Sequence, residues 1–392
     1  MFLAIKLAYR NLIGAGLRTW LNVIVLSFSY VVIIWMNGVM IGWEEQAKHD
    51  MKNWQIGGGQ YWHQDYDPYD PFTISDSHAQ VPKELEEEVE KGNIEPILIV
   101  QGTIYPQGRM QSVAIKGIRP EQNIFSQPTQ KLDTTIEGGI PAIVGAMMAK
   151  NMDISNGDRV TLRWRDSKGT FDATEAVIVD VFASNVPAIE TGQIYISLNK
   201  LQEITLLQDH ATTLTFKESK KERPQIDGWD LKTQKMLTES VDELIKTKSA
   251  GLTIFYFILL LLAMLAIFDT MVLSIFRRQK EIGTYIALGY TRKGVVGLFT
   301  VEGAMYSILA ALVGAAYGLP FLAWQAKVGW TMPIDVSELG MAIAQTLYPV
   351  YSVGLVVSTV LIVVLTTTIV SYWPSRKIAK MNPTEALRGK IQ

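Results

Sequence analysis

The sequence predicts a membrane α-helical protein, with four transmembrane helices in a one-plus-three order and a mixed α/β extracytoplasmic domain inserted after the first. Three observations predict it. Four long apolar runs each reach the roughly 20 residues that a helix rising 1.5 Å per residue needs to cross a bilayer. Charged residues make up only 19% of the chain, below the roughly 25% usual for a soluble protein. The charges are also sorted: short basic segments flank the apolar runs, while residues 44–250 hold 22 basic against 32 acidic residues.

Taken in order, residues 1–18 mix apolar positions with Lys6, Arg10 and Arg18 and carry no acid. They read as a short cytoplasmic interfacial helix on the inner membrane surface, or equally as a helical lead-in to the first span. Residues 19–43 form the first span, with Trp20 and Trp43 suited to the two interfaces. Glu44-Glu45 follow it rather than a small-residue cleavage site, so it reads as a retained helix. Residues 251–276 are the second span, stopped by Arg277-Arg278. A basic cytoplasmic segment, 277–293, leads to the third span at 295–324, where Gly318 and Pro320 are placed to bend the outer end. An outer loop, 325–349, precedes the fourth span at 350–373 and a basic tail at 374–392. Basic segments stay inside, which puts both termini in the cytoplasm and residues 44–250 outside.

Within 44–250, the two ends read as helical extensions of the neighbouring spans, 44–54 and 230–248, the latter with a one-sided stripe of Leu237, Val241, Leu244 and Ile245. Residues 96–105 and 111–118 read as a hairpin turned by Pro106-Gln107-Gly108. Residues 83–91 and 141–152 read as short helices. Strands are expected at 159–165, 175–182 and 193–197, with a turn at Lys168-Gly169, and an irregular Asp- and Pro-rich loop at 63–79.

Most catalytic chemistry is absent from this pattern. There is no cysteine, and His49, His63, His78 and His210 show no metal-ligand spacing. Asp65, Asp67 and Asp70 lack the glycine and terminal glutamate of a calcium loop, so no metal site is expected. Gly57-Gly58-Gly59 reads as a strand entrance, and no GxxxxGK[ST] occurs, so no cofactor is expected on this chain. Two ionisable residues, Asp269 and Glu302, fall inside apparent spans, where charge is costly and faces protein or water. A structural coupling role is favoured for both. For Asp269 the plain alternative is a local network with Thr270 or Ser274. Glu302 is placed either to reach the inner headgroups or to pair with an arginine of the 277–293 segment.

That segment is an amphipathic helix in which Ile282, Tyr285, Ile286 and Gly289 share a face, Arg278 and Glu281 pair at i, i+3, and Gly289 ends the helix. Its residues Arg278, Glu281, Ile282, Gly283, Ile286, Ala287, Leu288 and Gly289 resemble the signature that follows the second span of FtsX-like/MacB ABC transporter permeases. The resemblance continues at Glu302 and in the tail, through Pro374, Arg376, Pro383, Ala386, Leu387 and Arg388. Ile143-Val144-Gly145, Met148-Ala149, Gly157-Asp158-Arg159-Val160 and Gln193–Ile196 are similar to the MacB-type periplasmic core. In layout the chain looks closest to lipoprotein-releasing (Lol-type) permease subunits, with Gly58-Gly59-Gln60-Tyr61-Trp62-His63 in place of their G-H-x-Q-x-H stretch.

The resemblance implies a non-catalytic inner-membrane permease whose 277–289 helix docks on a separate ABC ATPase dimer, which binds ATP and Mg, with the tail nearby. It implies a second permease, identical or homologous, and contact with membrane lipids but not nucleic acid. The implied work is extraction of lipoproteins toward the outer membrane, with a periplasmic chaperone or adaptor as further partner. The alternative is mechanotransmission that drives efflux or an envelope process without passing substrate through the membrane. A membrane-anchored receptor or enzyme is a third reading, disfavoured because a plain anchor needs no such signature.

Overall fold

The computed structural model describes residues 16–219, 223–333 and 344–380. It divides into a helical unit (residues 1–43, 245–330 and 347–392) and an α/β unit (residues 44–244 and 331–346). The expected helix at 1–18 and the tail beyond Lys380 lie almost wholly outside the described residues.

Among the described residues, four helices are long and apolar enough to cross a membrane. They are Leu17–Met51, Glu239–Arg277, Arg292–Val328 and Val353–Ser375, called here the first to fourth membrane helices. Each reaches beyond the apolar run that predicted it at one end or both. The third continues through Pro320 to Val328 rather than ending there. The fourth starts a little later than expected, where Ser352 Oγ accepts the Leu355 N–H at 3.1 Å and caps it.

The third helix is the centre of the helical unit. Its buried side includes Val295, Phe299, Tyr306, Ala310, Gly314 and Gly318, large residues in its first half and small ones in its second. Small residues let membrane helices approach closely, since packing rather than water exclusion holds them together. Gly303 shows why: a Cβ there would lie 2.1 Å from Ser371 Oγ on the fourth helix, so any larger residue would force the two apart. The second helix buries a narrow stripe, Ala263, Ile267, Met271 and Ile275, each four residues on from the last. Around that stripe Ile254, Phe257, Leu261, Leu265 and Phe268 are exposed, as a helix solvated by lipid allows.

Among its described residues between 44 and 244, the α/β unit carries eleven strands: β1 (Gly59–His63), β2 (Ala79–Gln80), β3 (Ile94–Tyr105), β4 (Gln111–Ile118), β5 (Ile140–Gly145), β6 (Arg159–Arg165), β7 (Phe171–Phe182), β8 (Gln193–Ser197), β9 (His210–Ala211), β10 (Thr213–Phe216) and β11 (Trp229–Thr233). The main sheet runs β11-β1-β10-β3-β4-β8-β5-β7-β6, and β6 pairs back onto β3. Strands β3 to β8 therefore close into a six-stranded barrel. β3 is long enough to serve twice: Ile94–Ile97 pair with β10, and Leu98–Ile104 pair with β4. Alternation sends Val160, Leu162 and Trp164 of β6 inward and its four outward residues to solvent. They meet Leu98, Ile115, Val144, Ile178 and Ile196 in the barrel core. A second core, with Tyr61, Leu85, Ile94, Leu214 and Phe216, lies under the β10-β1-β11 arm and the helix Lys83–Glu90.

Two expectations need correction. Residues 141–145 form β5, and only Ala146–Met152 are helical. The β-branched Ile-Pro-Ala-Ile-Val stretch is buried on both faces and pairs with β7 and β8, a setting that favours extended chain. Residues 229–233 form β11 against β1 rather than the start of a helix. Thr233 then caps a short helix, Gln234–Leu237, before the second membrane helix begins. Within the α/β unit, the last turns of the helix Leu17–Met51 and the first turn of Glu239–Arg277 are joined by Lys48, whose Nζ meets Glu44 at 2.7 Å and also Asp242.

One buried carboxylate in this unit is fully answered. Glu95, 1% exposed, takes the Arg119 backbone N–H at 2.9 Å, while the Arg119 guanidinium binds its other oxygen and the carbonyls of Val89 and Ile94. Lys116 is the contrast. It lies half-buried on β4 with its Nζ 5.9 Å from the Tyr195 ring centroid, and no carboxylate pairs with it among the described residues. Burial pushes its pKa down to about 8. A depressed lysine destabilises the fold while it is charged, so the cost is present at neutral pH and is relieved as pH rises from about 8 toward the ordinary value of 10.5. Lys116→Met is expected to raise the stability of the protein at neutral pH by on the order of 1 kcal/mol. Thermal unfolding at about pH 7 and about pH 10 checks this, and the gain is expected to shrink at the higher pH.

Candidate coupling site

The second membrane helix ends at Arg277, and a separate helix, Gln279–Ala287, follows after a break at Arg278. It is shorter than the predicted 277–293 segment. Gly289, at φ +93°, supplies the left-handed residue that ends it. Thr291 then caps the third membrane helix by accepting the Gly294 N–H at 3.1 Å.

Arg278 stands at this break and makes the central contact of the site. Its Nη1 donates to both carboxylate oxygens of Glu302, at 3.0 and 2.9 Å. Its Nε donates to Glu281 at 2.7 Å. The guanidinium also lies 4.9 Å from the centroid of the Phe299 ring, one turn before Glu302 on the same helix. Glu302 is 4% exposed. Burial opposes the charge on Arg278, but the two carboxylates outweigh it and raise its pKa above the ordinary value. Of the two placements expected for Glu302, the arginine pair is the one observed.

An apolar contact backs the ion pair. Ile282 is fully buried and Gly283 is buried, and both lie on the inner side of the short helix. Ile282 joins Val295, Val296, Phe299 and Ile378, with Tyr285 and Ile286 partly buried against them. Ile378 belongs to the turn Arg376–Lys380 after the fourth membrane helix, and Arg292 Nη1 donates to the Ala379 carbonyl at 3.2 Å. The turn Arg376–Lys380 and the short helix are thus packed on the same end of the third membrane helix.

The structure sorts the predicted residues into two groups. Arg278, Ile282, Gly283 and Ile286 face inward, and Pro374 is buried. Glu281, Ala287, Leu288 and Gly289 face outward, as does Arg376. Gly289 does not share the buried face with Ile282, because the helix has ended before it. Pro383, Ala386, Leu387 and Arg388 lie outside the described residues. Asp269 is exposed on the second membrane helix and is not brought to this site. Its neighbour Thr270 makes the polar contact there, accepting from Asn22 and donating to the Ala266 carbonyl at 2.9 Å. Sequence reasoning missed Phe299, Thr291 and Ile378. Thr291 carried a signal, a threonine just before a helical run, while Phe299 is one apolar residue among many.

The outward side combines apolar and basic character. Leu288 is 73% exposed and Tyr290 45% exposed, flanked by Lys280, Arg292 and Lys293. No group of three or more histidine, aspartate or glutamate side chains placed to hold a metal occurs among the described residues.

Comparison with known proteins matches residues 253–383 to the FtsX-like permease C-terminal family model. An uncharacterized ABC transporter permease of Methanocaldococcus jannaschii is 31% identical over 162 residues, 38% of this chain and 37% of its own length. The macrolide export ATP-binding/permease protein MacB of Sodalis glossinidius is 24% identical over 185 residues, 47% of this chain and 26% of its own. The protein of the same name from Wolinella succinogenes is 27% identical over 166 residues, 42% and 23% respectively. The matches to these curated relatives thus span at most 37% of their length.

Removing Glu302 alone leaves Arg278 half-buried without its main counter-charge, a loss of about 3–5 kcal/mol for a broken buried pair. Glu302→Leu is therefore expected to lower the unfolding temperature of the detergent-solubilised protein sharply. Arg278→Met combined with Glu302→Leu is expected to recover most of that loss. Equal stability of the single and double variants would show that the pair does not hold this end of the helix.

Proposed function

We propose that this chain, which matches the FtsX-like permease C-terminal family model over residues 253–383 and is similar to ABC transporter permeases over part of its length, is an FtsX-like/MacB-type permease that couples ATP hydrolysis on a partner ATPase to work outside the cytoplasmic membrane. The observation that carries this reading is the short helix Gln279–Ala287. It is fixed inward by the Arg278–Glu302 pair and Ile282, and it ends in an exposed Leu288 and Tyr290. A basic surface with an apolar centre fits a protein partner, since desolvating Leu288 and Tyr290 rewards contact while the cations set orientation. The ATPase binds ATP and Mg; this chain contributes the docking surface and no catalytic residue. In this reading both termini are cytoplasmic, the α/β unit is a periplasmic core of the MacB type, and two permeases act as a pair, identical or homologous.

The work proposed is extraction of lipoproteins from the inner membrane toward the outer membrane, passed to a periplasmic chaperone. It rests on the Lol-like order of elements in the sequence. A second reading, mechanotransmission that drives efflux through an adaptor, is favoured by the two relatives named for macrolide export. Photo-crosslinkers on the exposed residues Ile24, Phe28, Ile258 and Leu262 separate the two. Capture of acylated proteins supports extraction, and capture of none alongside adaptor capture by the α/β unit supports mechanotransmission.

The docking reading makes its own prediction. Leu288→Glu changes an exposed residue, so the unfolding temperature is expected to stay within the range of a surface substitution, about 0.5 kcal/mol. Co-purification of the ATPase, and stimulation of its activity by the permease, are expected to fall by about tenfold or more, as loss of an interface anchor would produce. Unchanged association would remove the short helix from the interface.

A further inference from the structure

The loop between β1 and β2 is bracketed by His63 and His78 and has little regular structure beyond one turn at Pro71–Thr73. Ser77 pins it from inside: fully buried, it donates to the Asp65 carbonyl at 2.9 Å and also contacts the Thr73 carbonyl. Tyr69 and Phe72 at its tip are 87% and 90% exposed. Ile74, Asp76 and His78 form one wall of a cavity of about 670 Å³, whose floor comes from β3 and β6, including Gln101 and Arg163.

Where the loop rejoins regular structure, His78 Nδ1 lies 2.9 Å from His210 Nδ1. The ring centroids are 5.0 Å apart and the planes cross at 64°. Two Nδ1 atoms at that distance share one proton: one ring donates and the other must be neutral to accept. If both rings are protonated both nitrogens are donors, the bond is lost and the charges repel. The strands here are also held by the Gln202 side-chain amide, which donates to the His210 carbonyl at 3.0 Å, and by burial of Ala211. The β2–β9 ladder has two residue pairs, Ala79 with Ala211 and Gln80 with His210, supplemented by Val81 N–H to the Asp209 carbonyl at 3.0 Å.

We propose that His78 and His210 form a pH-sensitive latch, which holds the 64–78 loop as the wall of this cavity and releases it when both rings are protonated. The surrounding charges fit that role. Burial lowers the pKa of His78, and His210 and His63 lower it further, while Asp76 opposes them. Burial also lowers His210, against Asp209. Across the cavity Arg163 and Arg165 add positive charge and Asp166 negative. With both pKa values depressed on folding, the latch is fully stable above the ordinary histidine value of about 6.5 and weakens as pH falls below it.

The chain contains no cysteine, so Phe72→Cys places a single nitroxide label at the loop tip. With the full chain in lipid nanodiscs, the mobile fraction in the electron paramagnetic resonance spectrum is expected to rise about twofold between about pH 7.5 and about pH 5. A label at Thr161→Cys, on the outer face of β6, is expected not to respond. His78→Gln leaves His210 a neutral partner and is expected to flatten the response at position 72; His210→Gln is a second variant with the same expectation. A loop signal that ignores pH, one that rises equally in both variants, or one matched by the label on β6 would overturn the latch.

Discussion

Glu302 is the one charged residue between Lys293 and Lys327 of the third membrane helix, where a carboxylate costs on the order of 2.5–3.5 kcal/mol at membrane depth unless it is answered. Arg278 answers it with a two-oxygen contact, and much of the helical unit follows from that pairing. The arginine can reach Glu302 only if the chain breaks after the second membrane helix, and Arg278 is the residue at the break. Once it is held, Ile282 is carried onto Val295 and Phe299, and Ile378 closes over the same patch. The ion pair sets the register, and the apolar contacts supply the burial that makes the register stable. This order of causes fits the energetics of buried pairs, which contribute specificity more reliably than net stability.

The α/β unit meets a different constraint, the open edges that a mixed sheet leaves. Closure of β6 onto β3 removes them from the six-stranded part. The arm β10-β1-β11 extends the sheet on the part of β3 that β6 does not cover. Closure also determines where charge can be buried. Glu95 is tolerated on β3 because Arg119, just past the end of β4, reaches it with both backbone and side chain. Glu190 is tolerated because it accepts from Met147 N–H at 2.9 Å and from Ser184 N–H, satisfying donors that start a helix and a loop.

The sequence made the membrane helices legible because their signal is local: an uninterrupted apolar run bounded by charge. The strands β3, β4, β6 and β8 were legible for the same reason, each carrying its own β-branched or alternating pattern between turn residues. Barrel closure was not legible, since the Gly102–Trp164 pairing joins positions far apart in sequence and nothing in either strand names its partner. The helix expected over 141–152 failed at β5 because Ile-Pro-Ala-Ile-Val-Gly suits a strand buried on both faces, where alternation disappears. At the site, the pairing of Arg278 with Glu281 followed from helical spacing. Its stronger bond to Glu302 was one of two open choices, because hydropathy does not fix the rotation of a helix about its axis.

That rotation matters for how the 277–289 motif is read. A motif taken from sequence treats its residues as equals, but here they divide by direction. Arg278, Ile282 and Gly283 are consumed by contacts within the helical unit, so their chemistry is already used in holding the helix in place. Glu281, Ala287, Leu288 and Gly289 are left facing out, and among them Leu288 is the large apolar group. A leucine exposed beside Tyr290 and three cations is unfavourable in water, and in the docking proposed above it gains from contact with another protein. The inward residues explain why the helix stands where it does. The outward ones are the residues left free to meet a partner in the docking proposed above.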